Sequence, residues 1–101
     1  MKMYTNSEQT AKLIELGFEK PKSYHDIEWD GTEAYDYQLD YSIGELIEML
    51  PEYSSIYDLT NMHTMKICWY VGHISTSNVS ADELIDALYD MILKLKEEGV
   101  I

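Results

Sequence analysis

The sequence predicts a two-layer α+β domain, three helices with a small antiparallel sheet of three to four strands. Three observations predict it. Apolar residues recur at helical spacing in three stretches, each opened by Ser or Thr with Glu three residues later. Between these stretches the hydrophobic period changes from 3.6 to 2. Nothing in the 101 residues reads as a linker, a repeat or a low-complexity tract, so residues 1–101 are expected to form one domain around one core.

The first helix is expected over about Asn6–Leu16, capped by Thr5 with Glu8 and carrying Ala11, Leu13, Ile14 and Leu16 on its apolar face. Gly17 suits the left-handed residue that closes a helix, Phe18 would pack back on the last turn, and Pro21 prevents continuation. Residues 24–33 admit a hairpin or a plain loop. Asp30-Gly31 is a turn signal. A two-residue loop would turn Tyr35 and Tyr37 to the wrong face, whereas a three-residue loop, Asp30-Gly31-Thr32, sets Ile27 opposite Tyr35. Tyr35, Tyr37, Leu39 and Tyr41 then alternate with Asp36, Gln38 and Asp40 as a half-buried strand.

A short helix of about Ile43–Leu50 follows, capped by Ser42 with Glu45 and stopped by Pro51. Ile56–Thr60 reads as a short strand that turns through Asn61–Thr64 into a richer one. In that strand Met65, Ile67, Trp69 and Val71 alternate with Lys66, Cys68 and Tyr70, and apolar residues on both faces suggest a central position. The last helix is the clearest element. Ser80 with Glu83 would cap it; Leu84, Ile85, Leu88, Met91, Ile92 and Leu95 form its apolar stripe. Lys94 and Lys96 complement the negative end of its dipole, and Gly99 closes it, with Val100 and Ile101 folding back.

Composition excludes several classes of function. A chain that is 46% hydrophobic has too much apolar content to be disordered. No apolar run reaches the roughly 20 residues that span a bilayer. The opening Met1–Asn6 lacks the apolar core of a signal peptide, so the expectation is a cytoplasmic protein. The net charge is −12 and all seven basic residues are Lys. Without Arg, and at this charge, direct binding of nucleic acid or of an anionic membrane is not expected.

Between Ser23 and Met65 there is no Lys, and ten acids stand there: Asp26, Glu28, Asp30, Glu33, Asp36, Asp40, Glu45, Glu48, Glu52 and Asp58. On a strand Asp26, Glu28 and Asp30 would share one face and could hold a hard cation, with His25 opposite, but their spacing is not that of a calcium loop. A solvated acidic strand or loop is the simpler account and the one expected. His63 and His73 lack a third ligand and read as hydrogen-bonded surface histidines. Cys68, the only cysteine, reads as a small buried hydrophobe. Ser75, Ser77 and Ser80 lie near His73, but no nucleophile elbow, oxyanion turn or glycine-rich phosphate loop accompanies them. Neither an enzyme, a cofactor nor a metal site is expected.

The nine Tyr are the unusual feature. Tyr joins an apolar ring to a polar tip and is enriched at protein interfaces. A surface of Tyr24, Asp26, Glu28, Asp30, Asp36, Asp40, Tyr53 and Tyr57 would suit a basic protein partner. The competing account makes Tyr35, Tyr37 and Tyr41 a wall of the core and leaves the acids to keep the domain soluble.

Three segments carry a resemblance. Tyr41-Ser42-Ile43-Gly44-Glu45-Leu46-Ile47-Glu48-Met49-Leu50-Pro51 and Leu84-Ile85-Asp86-Ala87-Leu88-Tyr89, with Leu95-Lys96-Glu97-Glu98-Gly99, resemble small uncharacterised proteins of prophages and mobile elements in gut Bacteroides-type bacteria. The resemblance spans roughly residues 35–101. It implies a bacterial cytoplasm and a phage or mobile-element context; it carries no activity and hence no functional residues. The expectation is an accessory protein that binds another protein through its acidic Tyr-rich surface, with a homodimer as another arrangement. An inhibitor that mimics the charge of DNA and occupies a nuclease or DNA-binding protein is the first alternative. A divalent-metal enzyme using Asp26 and Glu28 is the second.

Overall fold

A computed structural model describes residues 2–26, 37–60 and 67–101. In chain order the elements are α1 (Ser7–Glu15), β1 (Ser23–Asp26), β2 (Tyr37–Asp40), α2 (Ile43–Met49), β3 (Ser54–Thr60), β4 (Ile67–His73), β5 (Thr76–Ala81) and α3 (Leu84–Glu97). The class is α+β, with all strand pairs antiparallel. Among the described residues the strands form two sheets rather than the single one expected: the pair β1–β2 and the meander β3–β4–β5. As its apolar content suggested, β4 is central.

The core is organised by α3. Leu84, Ile85, Ala87, Leu88, Met91, Ile92 and Leu95 are all buried, as the helical spacing predicts. They meet Leu13 of α1, Leu46 of α2, Val71 of β4, and Tyr41. Ile56, Trp69, Val79 and Ala81 pack around that cluster from the meander. Both expected glycine terminators are present. Gly17 (φ +96°) and Gly99 (φ +76°) adopt the left-handed conformation that L side chains avoid. The following amides, Phe18 N–H and Val100 N–H, donate back to the Leu13 and Leu95 carbonyls at 3.2 and 2.9 Å, satisfying acceptors the helix ends would leave open. Phe18 and Ile101 pack on the core as expected, and the Lys96 ammonium stands 5.6 Å from the Phe18 ring centroid.

Of the three predicted caps, one stands as written. Ser42 Oγ accepts from Glu45 N–H at 3.2 Å, and Glu45 Oε1 accepts from Ser42 N–H at 3.2 Å. The first cap is displaced by one residue: Asn6 accepts from Gln9 N–H at 2.8 Å and Gln9 Oε1 accepts from Asn6 N–H at 3.0 Å. The third is replaced. Ser80 belongs to β5, opposite Tyr70, and Glu83 stands at the N-cap of α3 without a side-chain cap bond. The Glu83 carboxylate instead accepts from Lys2 N–H at 2.8 Å, while Asp86 takes Lys2 Nζ and Gln9 Nε2.

Two strand expectations are also corrected. β5 lies where a loop and cap were expected, because the register of the meander sets Val79 beside Val71 and Ala81 beside Trp69. In the first hairpin Asp26 pairs with Tyr37 and Tyr24 with Leu39. A three-residue loop would have set Asp26 against Asp36, so the pairing is slipped by one; Ile27, Asp30-Gly31 and Tyr35 lie outside the described residues. No described helix is long and apolar enough to cross a membrane.

Candidate functional site

The alternation of β3 divides its side chains between two faces. Ser54, Ile56 and Asp58 share the face that carries Val71 and Trp69 toward α3, whereas Ser55 and Tyr57 share the outer face with Tyr70, Gly72 and Asn78. On the outer face the rings of Tyr57 and Tyr70 stack, with centroids 5.3 Å apart and planes 3° from parallel. Asn78 Nδ2 donates to the Tyr57 hydroxyl at 2.6 Å. To do so it crosses above Gly72, where the pairing of β4 with β5 shifts register.

Gly72 is the reason this crossing exists. A Cβ at that position would lie 2.1 Å from Asn78 Oδ1 and 3.4 Å from Ser55 Oγ. Gly72→Ala is therefore expected to drive Asn78 aside and break its bond to Tyr57, a loss of about 1 kcal/mol in urea unfolding. In the Asn78→Ala background the same change should cost nearly nothing. Equal costs in the two backgrounds would show that Asn78 does not occupy that space.

The start of β3 is shaped by a turn. Ser54 Oγ donates to the Pro51 carbonyl at 2.7 Å, and Tyr53 takes φ +68°, the one described non-glycine residue with positive φ. Such a conformation costs about 1 kcal/mol or more for a residue with a Cβ. It is held by the neighbouring hairpin turn: Ile74 N–H donates to the Tyr53 carbonyl at 3.3 Å. His73 lies between them. Its Nε2 is 2.9 Å from the Glu52 carbonyl, which only accepts, so Nε2 carries the proton; Nδ1 accepts from Ser75 N–H at 3.1 Å. His73 thus serves as a hydrogen-bonded brace, as the sequence suggested. Tyr53 and Ile74 project from this braced end at 76% and 79% exposure.

Tyr53 and Tyr57 (39% exposed) accordingly occupy the surface, together with the exposed carboxylates Glu52 and Asp58. Asp40 does not. It is 1% exposed and accepts a short hydrogen bond from the Thr10 hydroxyl, which removes it from any contact surface. The strand alternation that pointed it outward ends at Asp40, and Tyr41 is buried beside it. The backbones of Tyr24 and Asp26 lie in β1; Glu28, Asp30 and Asp36 lie outside the described residues, as does His63. Among the described residues no three His, Cys, Asp or Glu side chains converge as metal ligands. Cys68 is half-buried rather than enclosed, because its position in β4 shares the outer face with Tyr70.

Other features serve the fold. Tyr41 donates to the Glu19 carbonyl, and burial followed by the Glu45 charge holds its phenol above the ordinary value of 10.0. It lines an open depression with Phe18, Lys20, Lys22, Glu48 and Met49. A second depression, apolar, lies between α2 and β3 and is lined by Ile47, Leu50, Pro51, Ser54 and Ile56. Sequence reasoning missed Ser55, Gly72, Ile74 and Asn78; only Gly72, a glycine inside an apolar strand pattern, carried a signal. The chain matches no known protein family, no curated protein and no solved structure, and none of these comparisons bears on the resemblance to mobile-element proteins.

Proposed function

We propose that this protein binds a basic partner protein through the surface built on β3 and the β4–β5 turn. The observation that carries the proposal is Tyr53: a large ring 76% exposed, on a backbone conformation that opposes it, next to the exposed Glu52 at the head of a strand that carries the exposed Asp58 toward its other end. Ile74, whose amide donates to the Tyr53 carbonyl, and Tyr57 further along β3 are exposed as well. Exposed aromatic anchors rimmed by charge are the composition that concentrates binding energy at interfaces. The net charge of −12 sets the sign of the partner and would speed its approach.

Selection from an unbiased displayed-peptide library tests this. The recovered peptides should be rich in Lys and Arg. They should lose about tenfold in affinity or more against Tyr53→Ala and against Asp58→Lys, the scale expected of an interface anchor. Raising salt from about 0.05 to 0.3 M should weaken them further. Peptides of no charge bias, indifferent to both substitutions, would refute the proposal.

A further inference from the structure

The manner of recognition follows from the edge of β3. Among the described residues β3 pairs with β4 alone, and none of them forms a strand beside its other edge, whose backbone donors and acceptors can take one. Next to that edge lies the apolar depression of Ile47, Leu50, Pro51, Ser54 and Ile56, on the face that Ser54, Ile56 and Asp58 share. Ile47 is 42% exposed there. We infer that an extended segment of the partner adds beside β3 as a further strand, which deepens the proposed function and rests on it.

The chemistry of the segment follows from what flanks the edge. A strand laid along Ser54–Asp58 sends alternate side chains to the α2 side, where the depression accepts aliphatic groups. Asp58 at one end and Glu52 at the other are exposed and call for Lys or Arg. No Lys lies between Ser23 and Met65, so nothing in that stretch of sequence competes for these carboxylates. A second copy of this chain is a poor occupant, since two molecules at −12 would bring like charges together along the shared edge. The occupant is therefore an extended segment of another protein whose side chains on the depression side are aliphatic at the centre and Lys or Arg at the ends.

The probe, here the Lys-Val peptide, is a fluorescein-labelled eight-residue peptide whose alternate positions read Lys, Val, Val, Lys with Thr between them, titrated into the full chain. Three comparison peptides accompany it: the Glu-Val peptide with Glu in place of both Lys, one N-methylated at alternate residues, and one with a central Pro. Binding of the Lys-Val peptide should weaken about tenfold or more on N-methylation or with Pro, because a strand partner loses its backbone donors. Ile47→Ser should weaken it several-fold, and amide resonances of Ser54–Asp58 should shift on binding. If the N-methylated and Pro peptides bind as well as the parent while Tyr53→Ala and Asp58→Lys still weaken them, strand addition is overturned and the partner-binding surface stands. If the Lys-Val peptide binds no better than the Glu-Val peptide, strand addition by a basic segment is overturned. The library selection then decides the wider proposal separately.

Discussion

Leu88→Ala is expected to destabilise the protein by about 2–5 kcal/mol, the range for truncating a fully buried Leu. Leu88 is wholly enclosed at the middle of the α3 stripe, between Ile85 and Met91 and Ile92, which are equally enclosed. α3 in turn is the element that α2, β4 and β5 all touch. A void there is felt by every part of the core, and the surrounding helices and strands can collapse into it only in part. Domains of this size have about 5–15 kcal/mol of total stability, so the loss is a large fraction of it. Urea unfolding gives the value directly. Leu93→Ala, one side of the helix away and only half-buried, should cost distinctly less. A loss below about 1 kcal/mol for Leu88, the level of a surface change, would mean that the stripe faces elsewhere.

Asp40→Ala is expected to be the most damaging change among the acids. The buried hydrogen bonds around it run in one direction. Tyr41 N–H donates to Thr5 Oγ1 at 3.0 Å, and the Thr5 and Thr10 hydroxyls are 2.7 Å apart. Because Thr10 donates to Asp40, Thr5 must donate to Thr10, and the chain ends on the carboxylate. Removing that acceptor strands a buried hydroxyl in addition to losing a bond to a charged group, which together amount to about 2–4 kcal/mol. Asp40→Asn keeps a carbonyl in place and should recover most of the loss. Thr10→Val removes the donor, and the combined Asp40→Ala, Thr10→Val variant should be less unstable than the sum of its parts. Additive losses in urea unfolding would show that the two groups do not interact.

Asp40 also shows where sequence reading stops. Alternation in Tyr37-Gln38-Leu39-Asp40-Tyr41 correctly marks a strand, but it holds only while the strand lasts. At the junction with α2 two successive residues turn inward, and the distant Thr5 and Thr10 help explain why a carboxylate can follow. The α3 stripe and the Ser42 cap were legible because each is encoded within a few neighbouring residues. Ser80 misled because a Ser three residues before Glu fits a helix cap and a strand end equally well. The next strand over supplies the reason for β5, whose own sequence has a single large aliphatic residue, Val79. The same holds for the surface around β3. That it is an edge depends on strand order, that Asn78 reaches Tyr57 depends on the register shift at Gly72, and Tyr53 has no Gly or Asn beside it to announce a left-handed turn.

The turn at Tyr53 has a thermodynamic consequence. Its backbone is held by the Ser54–Pro51 turn and by the bond from Ile74, so the point from which the ring projects is set before anything touches it. A Tyr has two side-chain torsions to restrict, and covering this one would forfeit little remaining freedom. The backbone share of the ordering that association normally demands is completed here during folding, and the two ring torsions are what contact at this residue would still restrict.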